Sequence, residues 1–113
     1  MRHNESLIQK SIVATIRMHS GCRELFAVPN GGFRNIRTAV RLKGEGVLAG
    51  VPDLFLPVPT KKHHGLFLEV KTQKGRLSPN QTAFINSMLG RGYEVKIVRS
   101  AAEALDVVKE YLK

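Results

Sequence analysis

Residues 50–75, GVPDLFLPVPTKKHHGLFLEVKTQKG, hold two apolar runs, 51–58 and 65–72, joined by the polar stretch PTKKHH. Both runs are rich in the residue types that favour strands, and the connection is too short to carry a crossover. The two strands are therefore expected to pair antiparallel, with the start of the first beside the end of the second. That hairpin must sit inside a sheet whose other strands come from the flanking segments.

Those segments read clearly. Within 5–19, Ile8, Ile12 and Ile16 recur four apart, the spacing of an amphipathic helix, with Asn4 placed to cap it. Residues 23–30 read as a short strand closed by Pro29, Asn30, Gly31 and Gly32. Residues 33–46 suit a short helix with Phe33, Ile36 and Val40 on one side. Ser78, Pro79 and Gln81 make a capping box with proline at the first helical position, opening a helix to about Leu89. Residues 93–99 alternate like a strand. Ser100 and Glu103 then open a last helix with Leu105, Val108 and Leu112 inward. The order is α, β, short helix, β, β, α, β, α. It predicts an α/β fold, a mixed β-sheet flanked by helices, with a parallel crossover between the third and fourth strands. At 113 residues, one domain over 1–113 is expected.

Charge narrows the partner. Eighteen Lys and Arg stand against nine acids, giving a formal charge of +9 and a pI near 10.2. Such a surplus favours a polyanion, with nucleic acid ahead of an anionic membrane; the plainer reading is a solubilising surface. No apolar run reaches the ~20 residues of a membrane span, and MRHNESLIQK has no signal-peptide core. Cys22 stands alone, so no internal disulfide forms, and a reducing, cytoplasmic setting is expected. Arg34, Arg37 and Arg41, at i, i+3 and i+7, form a cationic stripe suited to a phosphate backbone, or simply a solvated helix face. Lys61 and Lys62 at the hairpin tip, and Lys74 beyond its second strand, are further candidates for phosphate contact. His63 and His64 are adjacent, not spaced as a helical zinc pair. With five Phe, two Tyr and no Trp, backbone or shape recognition fits better than base stacking.

The acids in the hairpin pose the chemical question. Phe67, Glu69 and Lys71 share one strand face. Antiparallel pairing brings Asp53 to Glu69 although 16 positions separate them. Two carboxylates that close repel unless a cation lies between them; Lys71 does part of that work, and a divalent metal does more. Mg²⁺ takes oxygen ligands, and Asp53, Glu69 and the main-chain carbonyl of Val70 supply them. The bland alternative is a Glu69–Lys71 surface ion pair with Asp53 as a turn residue.

GVPDLFL, FLEVKT and LSPNQ, in that order and spacing, together resemble the VRR-NUC (virus-type replication-repair nuclease) branch of the PD-(D/E)xK nuclease superfamily, over roughly Glu5 to Arg99. The resemblance implies a restriction-endonuclease-like fold with an α-β-β-β-α-β core. It implies Mg²⁺- or Mn²⁺-dependent hydrolysis of DNA phosphodiesters, leaving a 5′-phosphate and a 3′-hydroxyl, and selectivity for branched DNA such as four-way junctions. It assigns Asp53 and Glu69 as metal carboxylates, Lys71 as the motif lysine, Gln81 as the glutamine of the following helix, and Glu5 as the acid of the first helix. Glu5 lies on the same stripe as Ile8, Ile12 and Ile16, and is either that acid or one complementing the helix dipole. Gln81 serves either the site or the capping box, two tasks that one side chain does not easily combine. Since one compact site cuts one strand, symmetric cleavage calls for a homodimer. No small-molecule cofactor is expected. The rivals are a flap or nicking nuclease and a basic DNA-binding module that cuts nothing.

Overall fold

The computed structural model describes residues 2–29 and 35–113, with the side chains of Arg2 and His3 left out. The elements follow the expected order: α1 (Arg2–Arg17), β1 (Phe26–Ala27), α2 (Ile36–Gly44), β2 (Leu54–Leu56), β3 (Leu66–Val70), α3 (Pro79–Gly90), β4 (Glu94–Val98) and α4 (Ala101–Leu112). The sheet runs β1-β2-β3-β4; β1 and β2 pair antiparallel, as do β2 and β3, whereas β3 and β4 are parallel across α3. This is the mixed sheet that the short hairpin connection and the later helix require.

Alternation along the strands splits the side chains between two faces. Leu54, Leu56, Leu66, Leu68, Val70 and Val98 lie on one face, in a core closed by Ile12 and Ile16 of α1 and Ala104 and Val108 of α4. The other face carries Phe55 and Phe67, whose rings stand 4.5 Å apart, with Phe84 of α3 edge-on to Phe67 at 5.8 Å. Phe26 and Tyr93 join this cluster. Phe67 and Phe84 thus hold α3 to the sheet. Tyr111 fastens the end of α4 to the hairpin connection by donating its hydroxyl to the Val58 carbonyl at 2.7 Å.

Three local expectations change. Helix α1 begins at Arg2, so Asn4 lies inside the helix and does not cap it. Strand β1 covers only two residues of the segment 23–30, expected as a short strand. Helix α2 buries none of its residues, and its apolar stripe faces outward, with Ile36 81% and Val40 66% exposed. Its cap is Asn35, whose side chain accepts the Thr38 N–H at 2.8 Å. Phe33, Arg34 and the turn at Asn30, Gly31 and Gly32 lie outside the described residues.

Gly50 explains how the segment before β2 reaches α3. Its φ is +94°, and a Cβ there would sit 2.5 Å from the Asn80 carbonyl oxygen and 3.0 Å from the Gln81 nitrogen. A side chain would push the segment off the first turn of α3, three residues ahead of Asp53. Gly50→Ala is therefore expected to cost about 2–4 kcal/mol, combining left-handed strain with backbone overlap. Gly46 also has a positive φ, +108°, but open space around it. Gly46→Ala should lose only the strain, about 1–2 kcal/mol. Paired thermal melts check the difference, and equal losses would remove the packing explanation.

Candidate active site

The β2–β3 register, Leu54 opposite Leu68, continues to place Asp53 opposite Glu69 and Pro52 opposite Val70. Proline has no N–H to give the Val70 carbonyl. The Val70 N–H, for its part, goes to the Asp53 side chain, whose Oδ2 accepts it at 2.8 Å. The sheet is thus opened at this corner by Pro52, and the Asp53 carboxylate is pinned across it. The Asp53 main chain stays in the β1 ladder, its carbonyl accepting the Val28 N–H at 2.8 Å.

Glu69 is 2% exposed and Lys71 9%. The Lys71 ammonium lies 3.2 Å from Glu69 Oε2 and donates to Gln81 Oε1 at 3.1 Å. The Gln81 amide donates to the same Glu69 Oε2 at 3.0 Å. Gln81 Oε1 also accepts the Ser78 N–H at 2.9 Å, and Ser78 Oγ accepts the Gln81 N–H, so the capping box is complete. The expectation that Gln81 must choose between tasks is corrected. A carbonyl oxygen has two lone pairs, and one goes to the helix cap while the other goes to Lys71. The first turn of α3 and the alignment of Lys71 therefore share one side chain.

Glu69 Oε1 is buried with no hydrogen-bond partner. An orphaned carboxylate oxygen in a dry site is costly, and the electrostatics record that cost. Burial pushes Glu69 up to about 7, helped by the Asp53 charge and by Glu5, against the pull of Lys71. Asp53 is also raised, by burial first, while the Val70 N–H and the Lys71 charge oppose the rise. The two carboxyls are therefore close neighbours whose environment resists holding both charges.

Glu5 is half-buried in the first turn of α1 and lines one cleft with Asp53. Among the described residues, no three His, Cys, Asp or Glu side chains gather tightly enough to hold a metal ion by themselves. Any ligand set built on Asp53 and Glu69 would be completed by oxygens of another kind, from the main chain, water or a phosphate.

The basic candidates scatter. Lys74 lies in the turn just after Lys71. Arg37 is exposed on α2, and Arg41 there pairs with Glu45 at 3.2 Å. Lys61 and Lys62 sit at the opposite end of β3 from Glu69, a strand length of about 16 Å. They line a cleft of about 990 Å³ against α4, where Glu94, Asp106 and Glu110 mix in the opposite charge. Arg34 is outside the described residues. The sequence reading missed Arg99. Its Nη1 donates to the Thr72 carbonyl and, at 3.1 Å, to that of Gly75. It pins the turn that closes over the Lys71 stem, where a Cβ on Gly75 would come within 3.2 Å of Lys71 Cδ. That tie spans 27 positions, and no local pattern announces it.

A mixed four-stranded sheet with helices on both faces, and two acids with a lysine at one corner of its central hairpin, defines an α/β fold of the restriction-endonuclease type. The VRR-NUC domain family model matches residues 3–102, and the chain belongs to that family. It is a nuclease family, with DNA as its substrate class. A solved structure described as a VRR_NUC domain protein superposes with a TM-score of 0.83 at 21% identity, over 96% of this chain and 88% of that one. No curated protein matches the sequence. Among the described residues, no helix is long and apolar enough to cross a membrane.

Proposed function

We propose that the protein is a Mg²⁺- or Mn²⁺-dependent endonuclease that cuts branched DNA, four-way junctions included, as a homodimer. The observation that carries the metal is the orphaned Glu69 Oε1, buried beside a second carboxylate. Asp53, Glu69 and the Val70 carbonyl form an all-oxygen donor set, the chemistry of a hard divalent ion and not of zinc. Glu5, which lines the same cleft as Asp53, is the acid assigned to a second ion. When bound, the ion offsets the paired negative charges, polarises the scissile phosphate and lowers the pKa of the attacking water.

The chain's own side chains do the rest. An ammonium has three donors, and Lys71 commits two of them, to Glu69 and Gln81. The third is left for a phosphate oxygen or the attacking water, where it offsets charge that builds up in the transition state. Because both fixed partners are acceptors, Lys71 acts as a charged donor and not as the base. Gln81 fixes the Glu69 carboxylate in one orientation, so that Oε2 faces the lysine and Oε1 is left for the ion.

Branched substrates follow from the family resemblance and from the basic charge, which holds backbone without a base-stacking surface. Two cuts placed symmetrically need two copies of this site. The outward apolar stripe of Ile36 and Val40 on α2 is the kind of surface that a second copy covers. A panel of blunt duplex, flap, splayed-arm and four-way substrates, each incubated with Mg²⁺ or Mn²⁺, tests the reading. Cleavage of the junction at least about tenfold faster than the duplex is expected, and no cleavage of any substrate by the wild-type protein would end it.

A further inference from the structure

A groove leaves the carboxylates along the flank of α1. It has a volume of about 690 Å³, with Glu5 and Asp53 at one end and Arg17 at the other, between the helix and the segment 27–29. Twelve helical steps separate Glu5 from Arg17, about 18 Å. The floor, with Val13 and Val28, is apolar, and Lys10 and Arg17 supply positive charge. Arg17 donates through Nε and Nη2 to the Leu25 carbonyl at 3.0 and 2.8 Å, which fixes the guanidinium plane while leaving the Nη1 donors uncommitted. Among the described residues neither Lys10 nor Arg17 is in an ion pair. Arg41, by contrast, is already engaged with Glu45.

We propose that this groove seats the single-stranded DNA segment that continues from the scissile phosphate, with Lys10 and Arg17 on its phosphates and the apolar floor beneath its sugars. The assignment rests on the nuclease reading of the carboxylate corner. A volume within the range of small-ligand pockets admits one strand and not a duplex. The run of about 18 Å is long enough for successive phosphates of one strand to reach both Lys10 and Arg17. The groove has no aromatic platform among its described residues, so it holds backbone and tolerates any sequence. Among branched substrates it would favour those with an unpaired strand at the branch, flaps and splayed arms, over fully paired junctions.

Fluorescence anisotropy with a 5′-labelled 15-mer of oligothymidylate, in EDTA so that nothing is cut, tests the groove on the full chain. Lys10→Glu and Ala14→Glu change exposed positions on α1 that line it. Each is expected to weaken binding at least fivefold and to flatten the dependence of log affinity on log salt by about 0.7 per lost phosphate contact. Lys109→Glu makes the same charge change as Lys10→Glu on an exposed position of α4 outside the groove, and should weaken binding less than twofold. Equal effects from Lys10→Glu and Lys109→Glu, or no binding of the oligonucleotide by the wild-type protein, overturn the proposal. If Ala14→Glu fails to fold by circular dichroism, Lys10→Glu decides alone. Because catalysis is not read, loss of the nuclease reading leaves this binding result intact, and a failed groove leaves metal-dependent cleavage at the carboxylate corner untouched.

Discussion

Glu69→Gln is expected to abolish cleavage and at the same time to make the metal-free protein more stable above pH 7. Burial and Asp53 raise the folded-state pKa of Glu69 from its ordinary value of 4.5 to about 7. Between those two values the folded protein binds more protons than the unfolded chain, so stability falls as pH rises through that window. The contribution is favourable below about 4.5 and fully lost above about 7, a swing on the order of 3 kcal/mol at ~1.36 kcal/mol per unit. A neutral amide removes the buried charge at the cost of the Lys71 ion pair, and because burial is the largest cause of the shift, removal wins. Near pH 8 without metal, a gain of about 2 kcal/mol, or about 10 °C in melting temperature, is expected. The wild-type advantage should return on addition of Mn²⁺, which the variant cannot grip. Melting curves from pH 4.5 to 8.5 for both proteins check this. A variant no more stable than wild type at pH 8 would show that Glu69 carries no such cost.

Lys71→Met is the second large effect. Methionine keeps the stem that packs beneath Gly75 while deleting the charge and the donor. Single-turnover cleavage should fall by about 10²–10³, the scale for removing one preorganised donor from a transition state. The loss also removes the cation that pulls Glu69 down, so the midpoint of the rate–pH profile, for whatever residual cleavage remains, should move to higher pH. A rate within threefold of wild type at every pH would defeat the role given to Lys71.

How much of this was legible in the sequence depends on how local each cause is. The meeting of Asp53 with Glu69 could be read because a short connection fixes antiparallel pairing, and pairing fixes which ends adjoin. The capping box at Ser78 and Gln81 was legible because it spans four residues. That Gln81 also holds Lys71 and Glu69 was not, since it depends on how α3 is set down on the sheet by Phe67, Phe84 and the close approach at Gly50. Amphipathicity located α2 but could not say that its apolar stripe would face outward, because periodicity does not reveal what lies opposite. The short β1 reflects the same limit: an apolar run shows burial, whereas a ladder needs a partner in register, and β1 shares only two paired positions with β2. Arg17 and Arg99 escaped for another reason. Each acts by donating to distant carbonyls, and carbonyls are in every residue.

The central claim is that Asp53 and the buried Glu69 form an acid pair completed by a divalent ion. Calorimetric titration of Mn²⁺ into the wild-type protein and into Asp53→Asn, in two buffers of different ionisation enthalpy at pH 7, tests it most directly. Asparagine retains an oxygen for the Val70 N–H, so the corner of the sheet is kept while one charge is removed. The account predicts that wild type binds Mn²⁺ with release of about half a proton, because a group with a pKa of about 7 is half protonated there, and that the variant binds at least tenfold more weakly. Equal affinity in the two proteins, or no Mn²⁺ binding by wild type, would contradict it.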